Sequence, residues 1–275
     1  MKVLVVGATG GSGRAAVEAL AGRGHEVTAF ARRASTVFGG RAGVRAVDGD
    51  ATLPADVGRA VRGQDAVVVT LGISEHPLRV RLLGSSGTPL EVRSRGTAAV
   101  VAAMTEQGVR RLVVQSSYGV GGSRDRLPLS SRLVFALLLR PQIADHERQE
   151  RIVRDSGLTW SIVQPVHLTD GDEPAALSDT GDVVGMRVSR RALGEVLADL
   201  AEAAGDPGRC VAVSGAAAGA GGGPAGASRS PRGVPAVARP EPARRAEEGG
   251  PLQDPPRARE RWGAGGPSRV GGCAR

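Results

Sequence analysis

The apolar run Val3 to Val6 passes without a break into Gly7, Ala8, Thr9, Gly10, Gly11, Ser12 and Gly13, and no other stretch limits the fold so tightly. The run is mostly β-branched and reads as a buried strand. Residues 14–23 then carry Ala15, Ala16, Ala19 and Leu20 on one helical face, with Gly22 and Gly24 to stop the helix. Residues 26–31 form a second strand. Strand, glycine-rich turn, helix and strand together open a dinucleotide-binding unit.

A strand that turns at once into a helix needs a bend free of Cβ, and a pyrophosphate reaches backbone amides only where side chains are missing. The positive end of the following helix then holds the phosphates. Gly7, Gly10 and Gly13 are spaced G-x-x-G-x-x-G, which differs from the G-x-G-x-x-G fingerprint. A chain with 41 Gly makes the motif alone weak, and its place between a strand and a helix gives it weight.

The end of the second strand selects the nucleotide. A bare ribose usually meets an acid there, and a 2′-phosphate calls for Arg. Arg32 and Arg33 stand at this end, and no acid occurs between Val27 and Val47. NADP(H) is therefore expected over NAD(H), the alternative being that both arginines are solvated surface charge.

Beyond the first unit, apolar strands alternate with helical segments. Strands are expected at 44–47, 66–71, 111–116, 158–164, 182–187 and 209–213, and helices at 54–62, 89–107, 128–140, 143–155 and 190–204. Such alternation implies right-handed β-α-β crossovers and a doubly wound, mostly parallel α/β sheet of Rossmann type. The short region after residue 165 is a small C-terminal extension on the substrate side. Ligands of these sheets lie beyond the carboxyl ends of the strands. That places Asp50, Leu71, Gly72, Ser116, Ser117 and Tyr118 at the ligand edge, with residues 73–88 as a loop over it.

The last 60 residues, 216–275, are Gly-, Ala-, Pro- and Arg-rich and contain hardly any large aliphatic side chain. Such a segment cannot bury enough apolar surface to offset its ordering entropy and is expected to be disordered. A shifted reading frame through GC-rich codons would give the same composition. The domain expected to fold is 1–215. The tail supplies much of the net charge of +8, so the basic balance says little about the folded part and does not imply a specific nucleic-acid partner. Two cysteines exclude a disulfide framework and a cysteine-rich metal site. With neither a signal-peptide pattern nor an apolar run near 18 residues, a soluble cytoplasmic monomer or small homo-oligomer acting on a small molecule is expected.

These residues, with Gly49 and Asp50, Asp145 to Glu147, residues 155–158 and Gln164 to His167, resemble the atypical short-chain dehydrogenase/reductases. The likeness is nearest to the NAD(P)H-binding, NmrA-like group that includes biliverdin-IXβ reductase, also called flavin reductase. It spans residues 1 to about 214. The resemblance implies that Gly7, Thr9, Gly10, Gly11, Ser12 and Gly13 cradle the pyrophosphate and Arg32 the 2′-phosphate, with Arg33 beside it. It further implies that Asp50 and Ala51 hold adenine, and that Leu71 and Gly72 lie at the nicotinamide-side ribose. Ser116 and Pro165 would border the cofactor. Ser117 matches the serine near the nicotinamide, and His146 and His167 match histidines bordering the pocket.

One departure is plain. Many relatives use a Tyr and a Lys four residues later, the Lys lowering the Tyr pKa for proton transfer. Here the only Tyr is Tyr118, Gly122 follows at that spacing, and the only Lys is Lys2. Any proton must come from Ser117, Tyr118, His146 or water. An NADPH-dependent oxidoreductase passing hydride to a flavin, quinone or similar conjugated acceptor tolerates this loss best. A non-catalytic NADP-binding redox sensor is the alternative, and a nucleotide-sugar epimerase or dehydratase a weaker one.

Overall fold

The computed structural model describes residues 1–73, 88–126, 140–203 and 208–216. From the N-terminus it runs β1 (Lys2–Val6), α1 (Gly11–Gly22), β2 (Glu26–Ala31), α2 (Ala34–Phe38), β3 (Val44–Asp48), α3 (Pro54–Val61) and β4 (Ala66–Val69). It continues with α4 (Val92–Gln107), β5 (Arg111–Gln115), a 3-10 turn (Gly121–Arg126), α5 (Arg140–Arg154) and β6 (Thr159–Pro165). Then come β7 (His167–Thr169), β8 (Ala175–Ser178), β9 (Arg187–Ser189), α6 (Arg190–Glu202) and β10 (Arg209–Gly215).

Eight strands form one sheet in the order β3-β2-β1-β4-β5-β6-β10-β8. Every neighbouring pair is parallel except β10 and β8. The chain moves outward from β1 to β3 and then returns to β4 on the other side of β1. This reversal leaves a crevice at the carboxyl ends of β1 and β4, where such sheets bind ligands. β7 and β9 pair separately in a small two-stranded ribbon.

The central strands are apolar at nearly every position because both faces are covered. Val3, Val5, Val113, Val163 and Val211 face the layer of α1 and α6, and Leu4, Val67, Leu112, Val114 and Ile162 face that of α3, α4 and α5. α1 and α6 touch along their backbones. A Cβ on Gly194 would stand 2.6 Å from the Ala15 carbonyl, so only glycine permits that approach.

The expected doubly wound sheet is therefore present, with several local differences. α1 begins at Gly11, three residues before the apolar face suggested, because the glycines themselves form its first turn. Residues 34–38 are helical rather than loop, nucleated by Asp48, which accepts from Ser35 N and Oγ at 2.8 and 2.5 Å. The strand expected at 182–187 is absent. Strands occur instead at Ala175–Ser178 and Arg187–Ser189, and β8 rather than β10 forms the sheet edge. Expectations for the loop at 74–87, the leucine-rich helix before Arg140 and the tail after Ala216 fall outside the described residues.

Candidate functional site

The glycine turn is built by contact. Gly7 ends β1 with φ +85°, and a Cβ there would lie 2.8 Å from the Thr70 carbonyl oxygen across the crevice. A Cβ on Gly13 would lie 2.8 Å from the Ala8 α-carbon, within the same turn. Gly10 N donates to Gly7 O at 3.1 Å, and the Arg14 guanidinium clamps the outside of the turn by donating to Thr9 O at 3.0 Å. Gly10 caps α1 with no side-chain hydrogen bond, and no acid lies in the first turn. The amides and dipole of that turn are thus presented to the crevice uncompensated, the condition for holding a pyrophosphate. The glycine cradle fits the group, with Gly11 exposed and Ser12 buried beside it.

Arg190 reaches the same place from α6. Its Cδ and Nε lie 2.7 Å from where a Cβ on Gly11 would stand, and its Nη1 donates to Asp170 at 2.5 Å. It adds a cation beside the first turn of α1 that no motif announced, because Arg190 lies 179 positions after Gly11 in the sequence. Periodicity had used it only as the start of a helix.

At the end of β2, Arg32 is exposed and its Nη2 donates to Thr88 Oγ1 at 3.0 Å. Arg33 is exposed and precedes α2. Asp48 from β3 is turned to the start of α2, where the Ser35 hydroxyl and amide hold its carboxylate below the ordinary range. Asp50 folds back on its own loop, its Oδ1 accepting from Thr52 N and Oγ1 at 2.8 Å each, and its amide donates to Asp56 Oδ2 at 2.9 Å. Ala51 is buried against Gly96, where a Cβ would be 3.4 Å from its own. Leu71 packs on the same glycine, and Gly72 is exposed at the rim.

β5 delivers Ser116, Ser117 and Tyr118 to the carboxyl edge, and the three have different fates. Ser116 is buried, its hydroxyl donates to Glu150 Oε1 at 2.6 Å, and its Oγ lies 3.5 Å from His146 Nδ1. Glu150 also accepts from Gln164 Nε2 at 2.7 Å and, through Oε2, from Arg154 at 2.8 Å. Glu150 was not singled out by sequence, since a Glu on a charged helix reads as surface, and Gln164 entered only as the first residue of the stretch to His167. Ser117 is half-buried and among the described residues makes only a 3.3 Å bond to the Tyr118 carbonyl, so its hydroxyl is the readiest of the three to meet a ligand. Tyr118 is 3% exposed and its phenol donates to Gly181 O at 3.0 Å. That is the place of a core residue bracing the turn after β8.

His146 is half-buried, and its imidazole is pushed down to about 3 by burial and then by the neighbouring Arg93 guanidinium. It is neutral at physiological pH. Pro165 is buried at the end of β6, where its carbonyl accepts from Tyr118 N at 2.9 Å. His167 is exposed on β7, with its amide bonded to Met186 O at 3.2 Å. The structure thus brings His146 to Ser116 rather than to Ser117, and it leaves Tyr118 inside.

Fold and cradle define a dinucleotide-binding α/β protein. The pattern of the NAD(P)H-binding family matches residues 7–204, and the chain belongs to that family. It is 32% identical over 193 residues to an uncharacterized chloroplastic protein of Arabidopsis thaliana, covering 66% of this chain and 62% of that one. The chain thus spans less than two thirds of that relative. Among solved structures, a short-chain dehydrogenase/reductase of Veillonella parvula in complex with NADP superposes with a TM-score of 0.61 at 17% identity, over 78% of this chain and 93% of the other. ChuY, an anaerobillin reductase of Escherichia coli, gives 0.63 at 20% identity over 78% and 97%. At these identities the likeness is one of fold.

Proposed function

We propose that the protein is an NADPH-dependent oxidoreductase that passes hydride to a small conjugated acceptor such as a flavin or quinone. The carrying observation is the bare first turn of α1 beneath Gly7 and Gly13, set beside a β2 end that offers Arg32 and Arg33. The amides of Gly11, Ser12 and Gly13 take the pyrophosphate, with Arg190 alongside. Arg32 meets the 2′-phosphate while keeping its tie to Thr88. The nicotinamide supplies the hydride chemistry when bound. Gly72 leaves room at the ribose, Ser117 offers the hydroxyl nearest the reacting edge, and the Ser116–Glu150–Gln164 network fixes the end of β5 that carries it.

A flat acceptor suits a site with no Tyr-Lys pair, because the protein then has mainly to position it and exclude water. A neutral His146 can donate one hydrogen bond there without carrying a charge. The missing pair also motivates the second reading, a redox sensor that holds NADP without turnover. NADPH consumption with flavin or quinone by the purified full chain supports the first reading, and tight binding with no consumption across varied acceptors supports the second.

A further inference from the structure

Arg93, in the first turn of α4, is a cation that the cofactor cradle does not use. It is 6% exposed, and its Nε and Nη1 have no hydrogen-bond partner among the described residues. Burial lowers its pKa from the ordinary arginine value, and the Asp145 charge opposes the shift. Asp145 pairs with it only at the long end of ion-pair range and accepts no hydrogen bond from Nε or Nη1. Its Oδ1 accepts from Ser94 N and Oγ at 3.2 and 2.5 Å, its Oδ2 accepts from the Arg93 amide at 3.1 Å, and Oδ2 stands 4.0 Å from Nη1. The carboxylate is thus employed as the cap of α4, and the guanidinium keeps donors to spare. Buried donors left unpaired cost free energy that a ligand oxyanion would recover.

The direction of the side chain tells where that oxyanion lies. Arg93 Nη2 is 3.6 Å from the position a Cβ on Gly72 would occupy, and Gly72 is exposed at the carboxyl rim of β4. His146 lies within the electrostatic reach of the same guanidinium and also approaches Ser116. The guanidinium therefore stands behind the rim between the ends of β4 and β5, the acceptor side of the crevice, whereas the pyrophosphate cradle lies at the end of β1.

We propose that Arg93 forms an oxyanion subsite, taking a carboxylate of the hydride acceptor over Gly72, so that the substrate class is acidic conjugated molecules. This rests on the oxidoreductase reading. A planar guanidinium pairs with a carboxylate through two parallel donors, which fixes the acceptor's plane as well as its charge. The same donors would suit a cofactor phosphate, and the test separates the two sources.

NADPH binding by the purified full chain is measured first by nicotinamide fluorescence. Failure at that step removes the oxidoreductase reading itself. The NADP-loaded protein is then titrated by calorimetry with anthraquinone-2-carboxylate and with its neutral carboxamide. The expected result is a preference of about tenfold or more for the acid in the wild type, lost in Arg93→Met and partly kept in Arg93→Lys, with NADPH affinity unchanged in both. A tenfold loss of NADPH affinity in Arg93→Met without any acid preference would keep the oxyanion subsite and assign it to the cofactor. Equal binding of acid and amide by the wild type, together with unaltered NADPH affinity in Arg93→Met, would overturn the proposal. Should Arg93→Met fail to fold, the wild-type comparison and Arg93→Lys still decide it.

Discussion

Gly7 stands so close to Thr70 that a Cβ on it would lie 2.8 Å from the Thr70 carbonyl oxygen, joining β1 to the residue after β4 across the point where the strand order reverses. The same glycine has φ +85°, so space and backbone conformation both demand it. Gly7→Ala is expected to destabilise the fold by about 2 kcal/mol or more, from left-handed strain plus a backbone clash that no rotamer relieves. Thermal unfolding checks the loss, and NADPH titration of the folded fraction should show affinity reduced at least about tenfold.

Arg32 is exposed at the end of β2, and its Nη2 donates to Thr88 Oγ1. Replacing it with Glu sets a negative charge where the 2′-phosphate is to bind. The expected outcome is a fall of about tenfold or more in NADPH affinity with NADH affinity changed by less than about threefold, read by fluorescence titration. Equal losses for both cofactors would place the 2′-phosphate elsewhere.

Glu150 is a buried hub, accepting from Ser116, Gln164 and Arg154. Glu150→Ala removes the 2.6 Å acceptor of the Ser116 hydroxyl and one of the two acceptors of Gln164 Nε2, which keeps Val120 O at 3.0 Å, and should cost about 1–3 kcal/mol, measured by denaturant unfolding. Because Ser116 anchors the end of β5, the folded remainder is expected to lose turnover more than cofactor affinity.

His146 carries a pH signature. Its folded value of about 3 lies below the ordinary 6.5, so beneath pH 6.5 the unfolded chain takes up a proton that the folded chain refuses. Stability is expected to fall as pH drops from about 6.5 toward about 3, and His146→Gln should flatten the part of that decline between pH 6.5 and 4. With the imidazole held down by burial and Arg93, a neutral ring is expected at pH 7, and the pH–rate profile should show no inflection near 6.5 that this substitution removes.

Cys210 is half-buried, and its thiol is pushed up to about 11 by burial and then by the Glu150 carboxylate. The thiolate is the reactive form, so alkylation of Cys210 by iodoacetamide at pH 8 is expected to run at least about tenfold slower than for a free cysteine. Peptide mapping after a timed quench reads the difference site by site.

Much of the architecture was legible because it is local. The β1 run, the glycines and the face of α1 sit within 23 residues and dictate a strand, a turn and a helix from spacing alone. The start of α6 is equally local, since Ser189 stands immediately before it and its Oγ accepts from Ala192 N at 3.1 Å. What sequence missed depends on residues distant along the chain. Arg190 meets Gly11, Glu150 meets Ser116, and Asp145 caps α4 at Arg93 and Ser94, each pairing set by the sheet order rather than by any period. The 182–187 region is short and only partly apolar, and pairing along β10 placed the strand earlier, at Ala175–Ser178.

The most direct test titrates the full chain with NADPH and NADH while nicotinamide fluorescence is followed, and then adds FMN and a simple quinone. Tighter binding of NADPH than NADH, with oxidation of the bound nucleotide once an acceptor is present, is the predicted result. Failure of both nucleotides to bind would contradict the claim that the bare turn of α1, held open by Gly7 and Gly13, is a pyrophosphate site.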